Sequence, residues 1–255
     1  MSFLKRFSRL TLSQVWAIIS RPAMFPMFLT LRRGVTISEI ARQFYQVVGS
    51  EKIELLRKEF IGNERFFGEL NTKLVKYRGR RTNCEGWPEL LYVLVRLARP
   101  SVVVETGVFD GISSAVILQA LEDNRDGKLI SIDLPAPSTI QESTHRMRET
   151  KLPSGCQPGW AIPDNLRQRH ELILGDSKTV LPKVLAKERM IDIFLHDSLH
   201  TYEYQKFEYE MAWPKVKEGG LLLSDDVLWT PAFHRFSKKI GCPYKVYCGF
   251  GAIKK

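Results

Sequence analysis

From residue 101 to the C-terminus, short apolar runs alternate with longer segments of helical periodicity. Ser101–Glu105, Lys128–Ile132, Glu171–Leu174, Ile191–His196 and Leu221–Ser224 read as strands, four to six residues long and rich in β-branched residues. Between them, Ser113–Leu121, Ser177–Ala186, Thr201–Trp213 and a segment near 230–240 space their apolar residues as helices do. Strict strand-helix alternation requires a parallel sheet with crossover helices. The end of the chain, YKVY followed by FGAIK, reads as a hairpin, so the sheet should finish with an antiparallel strand. The expected fold is α/β, a doubly wound and mostly parallel sheet with an antiparallel terminal hairpin strand.

Upstream the strand pattern disappears. EIARQFYQVV after Thr36 and Ser38, EKIELLRKEF after Ser50, and ERFFGELNTKLVKY after Asn63 are capped helix patterns. A further helix, EGWPELLYVLVRLA, leads into the first strand. This divides the chain into a helical N-terminal region, 1–83, and a sheet domain, 84–255. The connection 134–169 is long for a compact domain, carries five prolines and a helix pattern near 139–150, and reads as a substrate lid.

The most informative stretch is Ser101–Ser113, SVVVETGVFDGIS. It is a buried strand, a glycine turn and a helix start. Glycines allow close backbone approach, and the helix start presents free N–H groups, so the unit suits a nucleotide-type cofactor. A dinucleotide site reads G-x-G-x-x-G. Here the order is Glu105-x-Gly107-x-x-x-Gly111-x-Ser113, with Phe109 at the central glycine position, which argues against a pyrophosphate on the turn and against a nicotinamide oxidoreductase. In an open α/β sheet ligands bind beyond the carboxyl ends of the strands. Those ends carry Glu105, then Asp133 about 20 residues past the turn, then Asp176 with Ser177, then Asp197 with His200, then Asp225 and Asp226. An acid at position 133 can accept from both hydroxyls of a ribose.

The glycine turn resembles the first motif of the class I S-adenosylmethionine (SAM) methyltransferases, E/D-x-G-x-x-x-G-x-S. With LISIDLP, ELILGDS and IDIFLHDSLHTYEYQKFEYEMAWPKVKEGGLLLSDDV, the resemblance to the macrolide and sugar O-methyltransferase type covers about 84–255. It implies a Rossmann-like domain in which Glu105, Gly107, Phe109, Gly111, Ser113, Asp133, Asp176 and Ser177 line SAM. It also implies Mg²⁺ on Asp197, Asp225 and Asp226, because hard carboxylate oxygens suit that ion. His200 falls where catechol-type relatives carry a basic residue and would take the substrate proton, with Asp197 beside it. Sugar-type relatives often carry a second acid two residues after the first metal Asp. Here Leu199 stands there, which moves the base role to His200.

Composition sharpens the choice of partner. The net charge of +10 lies wholly in residues 1–100, with 18 Lys/Arg against 8 Asp/Glu, and 101–255 is neutral with 20 against 20. A neutral sheet domain favours a small-molecule or glycan hydroxyl acceptor and no nucleic acid. Residues 1–35, basic, aromatic and broken by Pro22 and Pro26, suit a peripheral membrane surface, a packed helical arm, or a dimer arm that would make a homo-oligomer. The basic loop 76–81 leaves an RNA methyltransferase as rival, which requires Arg78, Arg80 and Arg81 at the same mouth as Asp197. A non-enzymatic binding module on the same fold is the second rival. Four cysteines without metal spacing and no long apolar run point to the cytoplasm.

Overall fold

The computed structural model describes residues 36–46, 48–135 and 151–255. The basic arm 1–35 and the helix pattern near 139–150 lie outside these. Seven strands form one sheet: β1 (Val102–Thr106), β2 (Lys128–Asp133), β3 (His170–Leu174), β4 (Ile191–His196), β5 (Val216–Ser224), β6 (Tyr244–Tyr247) and β7 (Phe250–Lys254), in the order β3-β2-β1-β4-β5-β7-β6. β1 to β5 are parallel, and β7 runs antiparallel to both β5 and β6. The order reverses between β1 and β4, so the crevice of the doubly wound sheet opens at their carboxyl ends.

The pair Gly219-Gly220 lies inside β5, where the register against β4 shifts between Ile191 and Ile193. A Cβ on Gly220 would stand 2.5 Å from the Asp192 carbonyl, so the strand passes only as glycine.

Helices α1 (Ile37–Phe44), α2 (Ser50–Ile61), α3 (Glu64–Arg78) and α4 (Trp87–Ala98) precede the sheet, and α5 (Ile112–Asn124), α6 (Ser177–Glu188), α7 (Tyr202–Ala212) and α8 (Ala232–Ile240) follow. Thr36 and Glu39 close a capping box on α1, and the Asn63 side chain accepts from Phe66 N–H at α3. One apolar cluster joins Ile40, Ile53, Phe60 and Leu70 of α1–α3 to α4, α5 and one face of the sheet; the other face packs Val104, Phe194 and Leu222 on α6, α7 and α8. The N-terminal helices thus share a core with the sheet. No helix among the described residues is long and apolar enough to cross a membrane.

Candidate functional site

β1 hands the chain to the turn Gly107-Val108-Phe109-Asp110-Gly111, which opens α5. Gly107 and Gly111 have φ of 84° and 91°, where a side chain would be strained. Their close contacts are with the protein itself. A Cβ on Gly107 would lie 2.0 Å from the Asp197 carbonyl oxygen, and one on Gly111 would lie 2.7 Å from Gly159 Cα. The turn is therefore wedged between the β4 end and the segment 151–169.

Phe109 also takes a left-handed conformation, φ 51°, at about 1–2 kcal/mol for a non-glycine residue. Its surroundings fix it there. Its N–H donates to Asp133 at 2.7 Å, its carbonyl accepts from Gly159 at 2.8 Å, and the Arg78 guanidinium lies 4.9 Å over its ring.

The acids of this half are all hydrogen-bonded within the protein. Glu105 is fully buried beneath the turn and accepts from Ser113, Ser114 and Ser131 at 2.5–2.8 Å. Burial pushes its pKa up to about 7, against the pull of those hydroxyls. Glu105 and Ser113 thus support the turn from below. Ser131 also meets His170 Nε2 at 3.0 Å, and burial beside Arg167 lowers His170 to about 4. Asp133 accepts from the N–H groups of Val108, Phe109 and Leu134 at 2.7–2.9 Å, which pins it to the turn and leaves acceptor capacity for a ligand hydroxyl. Asp176 caps α6 through Lys178 N–H at 2.9 Å and receives the Tyr204 hydroxyl at 3.2 Å. Ser177 turns inward, to Glu208.

Asp110 is the residue that the motif concealed. It is 1% exposed and takes a two-pronged bond from Arg78, a third from Trp160 Nε1 at 2.9 Å, and has Arg80 at 3.8 Å. The basic loop that raised the RNA reading therefore spends Arg78 on the glycine turn. Ala161, Ile162 and Leu166 are buried, and Lys73 and Arg167 hold the Ile162 carbonyl. Within the described part of the expected lid, residues 159–162 clamp the turn, with the N–H groups of Gly159 and Ala161 donating to the Phe109 and Asp110 carbonyls.

Across the crevice the acids face one another. Potential ligand atoms of Asp197, His200 and Asp225 all lie within 4.8 Å, with His200 Nε2 3.7 Å from Asp197 Oδ1. Asp226 is close enough for its charge to act on Asp197, and it has a left-handed backbone, φ 47°. Burial, then the charges of Asp225, Glu105, Asp226 and Asp133, push Asp197 far above the usual carboxylate range. Burial raises Asp225 to about 6, opposed by the Asp226 N–H and by His196. Burial and His196 lower His200 to about 3, so its ring is neutral, and its Nε2 is buried without a hydrogen-bond partner. Two half-buried carboxylates driven toward neutrality beside an unpartnered imidazole nitrogen fit a divalent cation, whose charge would relieve the repulsion.

Beneath this group lies an acid that the pattern did not single out. Glu208 on α7 is fully buried, and its charge is kept by Thr106, Ser177, Ser198 and His196. Its only sequence signal is an acid on the apolar side of a helix.

This architecture, a seven-stranded sheet with a glycine turn after β1 and an acid after β2, is a Rossmann-like fold. Residues 104–227, from within β1 to just past β5, match the family described as "Methyltransferase domain". Solved structures agree in fold. A cofactor-bound protein Rv0187 from MTB superposes with a TM-score of 0.52 at 14% identity, covering 79% of this chain and 94% of that one. The O-methyltransferase TomG of Streptomyces achromogenes, involved in tomaymycin synthesis and solved with SAM, gives 0.50 at 17%, covering 73% and 90%. CalS11, a TDP-rhamnose 3'-O-methyltransferase of calicheamicin biosynthesis, gives 0.50 at 16%, covering 80% and 94%. No curated protein matches in sequence. Residues 104–227 of this chain therefore carry a methyltransferase domain.

Proposed function

We propose that this enzyme methylates a hydroxyl oxygen of a small-molecule or sugar acceptor, with Mg²⁺ held by Asp197 and Asp225, and Asp226 beside them. The observation that carries the reading is the Asp197–His200–Asp225 cluster across the crevice from the glycine turn. SAM, when bound, supplies an electrophilic methyl on sulfur, and Mg²⁺ supplies charge that acidifies a nearby hydroxyl. Asp133 accepts from the ribose hydroxyls while it holds the turn. Gly107, Phe109 and Gly111 shape the wall against the methionine end, with Glu105 and Ser113 supporting them. Asp176 is placed at the adenine edge, with Ser177 anchoring the helix start behind it. His200 Nε2, neutral and unpartnered, takes the acceptor proton as the oxygen attacks the methyl. The carbon–sulfur bond breaks and S-adenosylhomocysteine (SAH) leaves. The rest of the rate comes from holding oxygen, methyl and sulfur in line. The helical region 36–83 serves the same site by placing Arg78 on Asp110.

The test is SAH calorimetry followed by a panel of sugar and phenol acceptors, with Mg²⁺ and with a chelator. Micromolar SAH binding and chelator-sensitive methyl transfer to a hydroxyl are expected. Methyl transfer that survives both the chelator and Asp225→Asn would remove the metal from the reading.

A further inference from the structure

The ends of three strands meet at one carboxylate. Glu208 Oε1 accepts from Ser177 Oγ at 2.5 Å and from Ser198 Oγ at 2.8 Å. Its Oε2 accepts from the Thr106 hydroxyl and from His196 Nδ1, the latter at 2.5 Å. A carboxylate has about four acceptor positions, and here all are used. Each donor adjoins a residue of the crevice. Thr106 precedes Gly107, Ser177 follows Asp176, and His196 and Ser198 flank Asp197. The two halves also touch directly, since Gly107 packs on the Asp197–Ser198 peptide so closely that a Cβ would lie 2.6 Å from Ser198 N.

A buried charge is an expensive way to fill space, and apolar residues of similar volume often serve stability better. A carboxylate offers something they do not, a single rigid point that accepts from four donors on three segments. We propose that Glu208 is a positioning residue for methyl transfer: it fixes the cofactor half and the acceptor half of the crevice in one register through Thr106, Ser177, His196 and Ser198. It contacts none of the reacting groups. Its bond to Nδ1 also sets the tautomer of His196, whose Nε2 is buried without a partner and whose ring meets that of His200 edge-on, centroids 5.4 Å apart. Glu208 thereby sets the wall against which His200 rests. The inference depends on the SAM reading above.

Glu208→Gln keeps the shape and replaces two acceptor positions by donors. The serine and threonine hydroxyls can turn round; His196 must move its proton to Nε2 where the amide nitrogen faces it. The expected result, in a variant with wild-type circular dichroism, is at least tenfold weaker SAH binding and an altered imidazole ¹⁵N pattern for His196. Ser177→Ala and Ser198→Ala should each weaken SAH severalfold, and they carry the test if Glu208→Gln does not fold. SAH affinity within twofold of wild type in every folded variant, with the His196 signals unchanged, overturns the role of Glu208. A wild-type protein that does not bind SAH overturns instead the cofactor reading beneath it.

Discussion

The two halves of the crevice are built on opposite principles. Around the glycine turn every acid is matched: Glu105 by three hydroxyls, Asp133 by three backbone N–H groups, and Asp110 by Arg78 and Trp160. Across from it, half-buried Asp197 and Asp225 face each other, and His200 Nε2 and His196 Nε2 have no hydrogen-bond partner. The first half is complete before any ligand arrives. The second stores unfavourable charge that a cation and an acceptor would relieve. Such local conflict in an otherwise consistent fold is what a reactive site is expected to show.

The contrast can be broken most severely from the matched side. Arg78→Met should destabilise the protein by up to about 3–5 kcal/mol, because buried Asp110 would keep only Trp160 Nε1 and the more distant Arg80; urea unfolding measures it. Arg78→Met with Asp110→Asn should recover much of that loss. If Arg78→Met costs under about 1 kcal/mol, Asp110 is not the anchor of the turn.

The opposite sign is expected on the conflicted side. Asp225 has its folded pKa raised to about 6 from an ordinary 3.8. Its contribution is therefore intact below pH about 4 and lost as pH rises through about 6. In chelator, stability should fall by on the order of 3 kcal/mol between pH 4 and pH 8, shared with Asp197. Asp225→Asn should flatten that fall while abolishing metal-dependent turnover, and saturating Mg²⁺ should flatten it in the wild type. An unchanged pH profile in the variant would mean the acid pair is not under strain.

Within the matched half, Glu105 and His170 offer a finer test. Glu105 is raised to about 7, so its stability contribution is lost as pH rises toward 7; His170 is lowered to about 4, so its contribution is lost as pH falls toward 4. Across about pH 4.5–6.5 the two slopes oppose and nearly cancel. His170→Gln should expose a fall in stability with rising pH, and Glu105→Gln a fall on acidification, each on the order of 3 kcal/mol. Thermal melts over that range read both, and matching slopes in the two variants would refute the pairing.

The smallest effect is expected at Phe109. In Phe109→Gly, relief of the left-handed strain, about 1–2 kcal/mol, is offset by added chain freedom of about 0.5–1 and the lost Arg78 contact of about 0.5–1. The net change should stay within about 1 kcal/mol by urea titration.

The sequence by itself determined the order of strands and helices, the terminal hairpin, and the acids at the strand ends. These are local: apolar period, caps and glycines act within a few residues of themselves. Asn63 at the start of α3 and the run Val102–Val104 were readable for that reason. The pattern also placed Asp197, His200 and Asp225 at neighbouring strand ends, and the structure brings them within 4.8 Å.

What only the tertiary structure decided is which groups are spent on one another. Arg78 and Asp110 are 32 residues apart, and Thr106 and Glu208 are 102 apart. No periodicity links such positions; a charge on a helix reads as solvated until packing buries it. Gly107 looked like an opening for a ligand, and its contact is the Asp197 peptide. The connection 134–169 looked like a lid, and in its described part buried Ala161, Ile162 and Leu166 form a clamp. Burial and partnership are properties of the assembled core, and they separate the acids that support the crevice from those left to act in it.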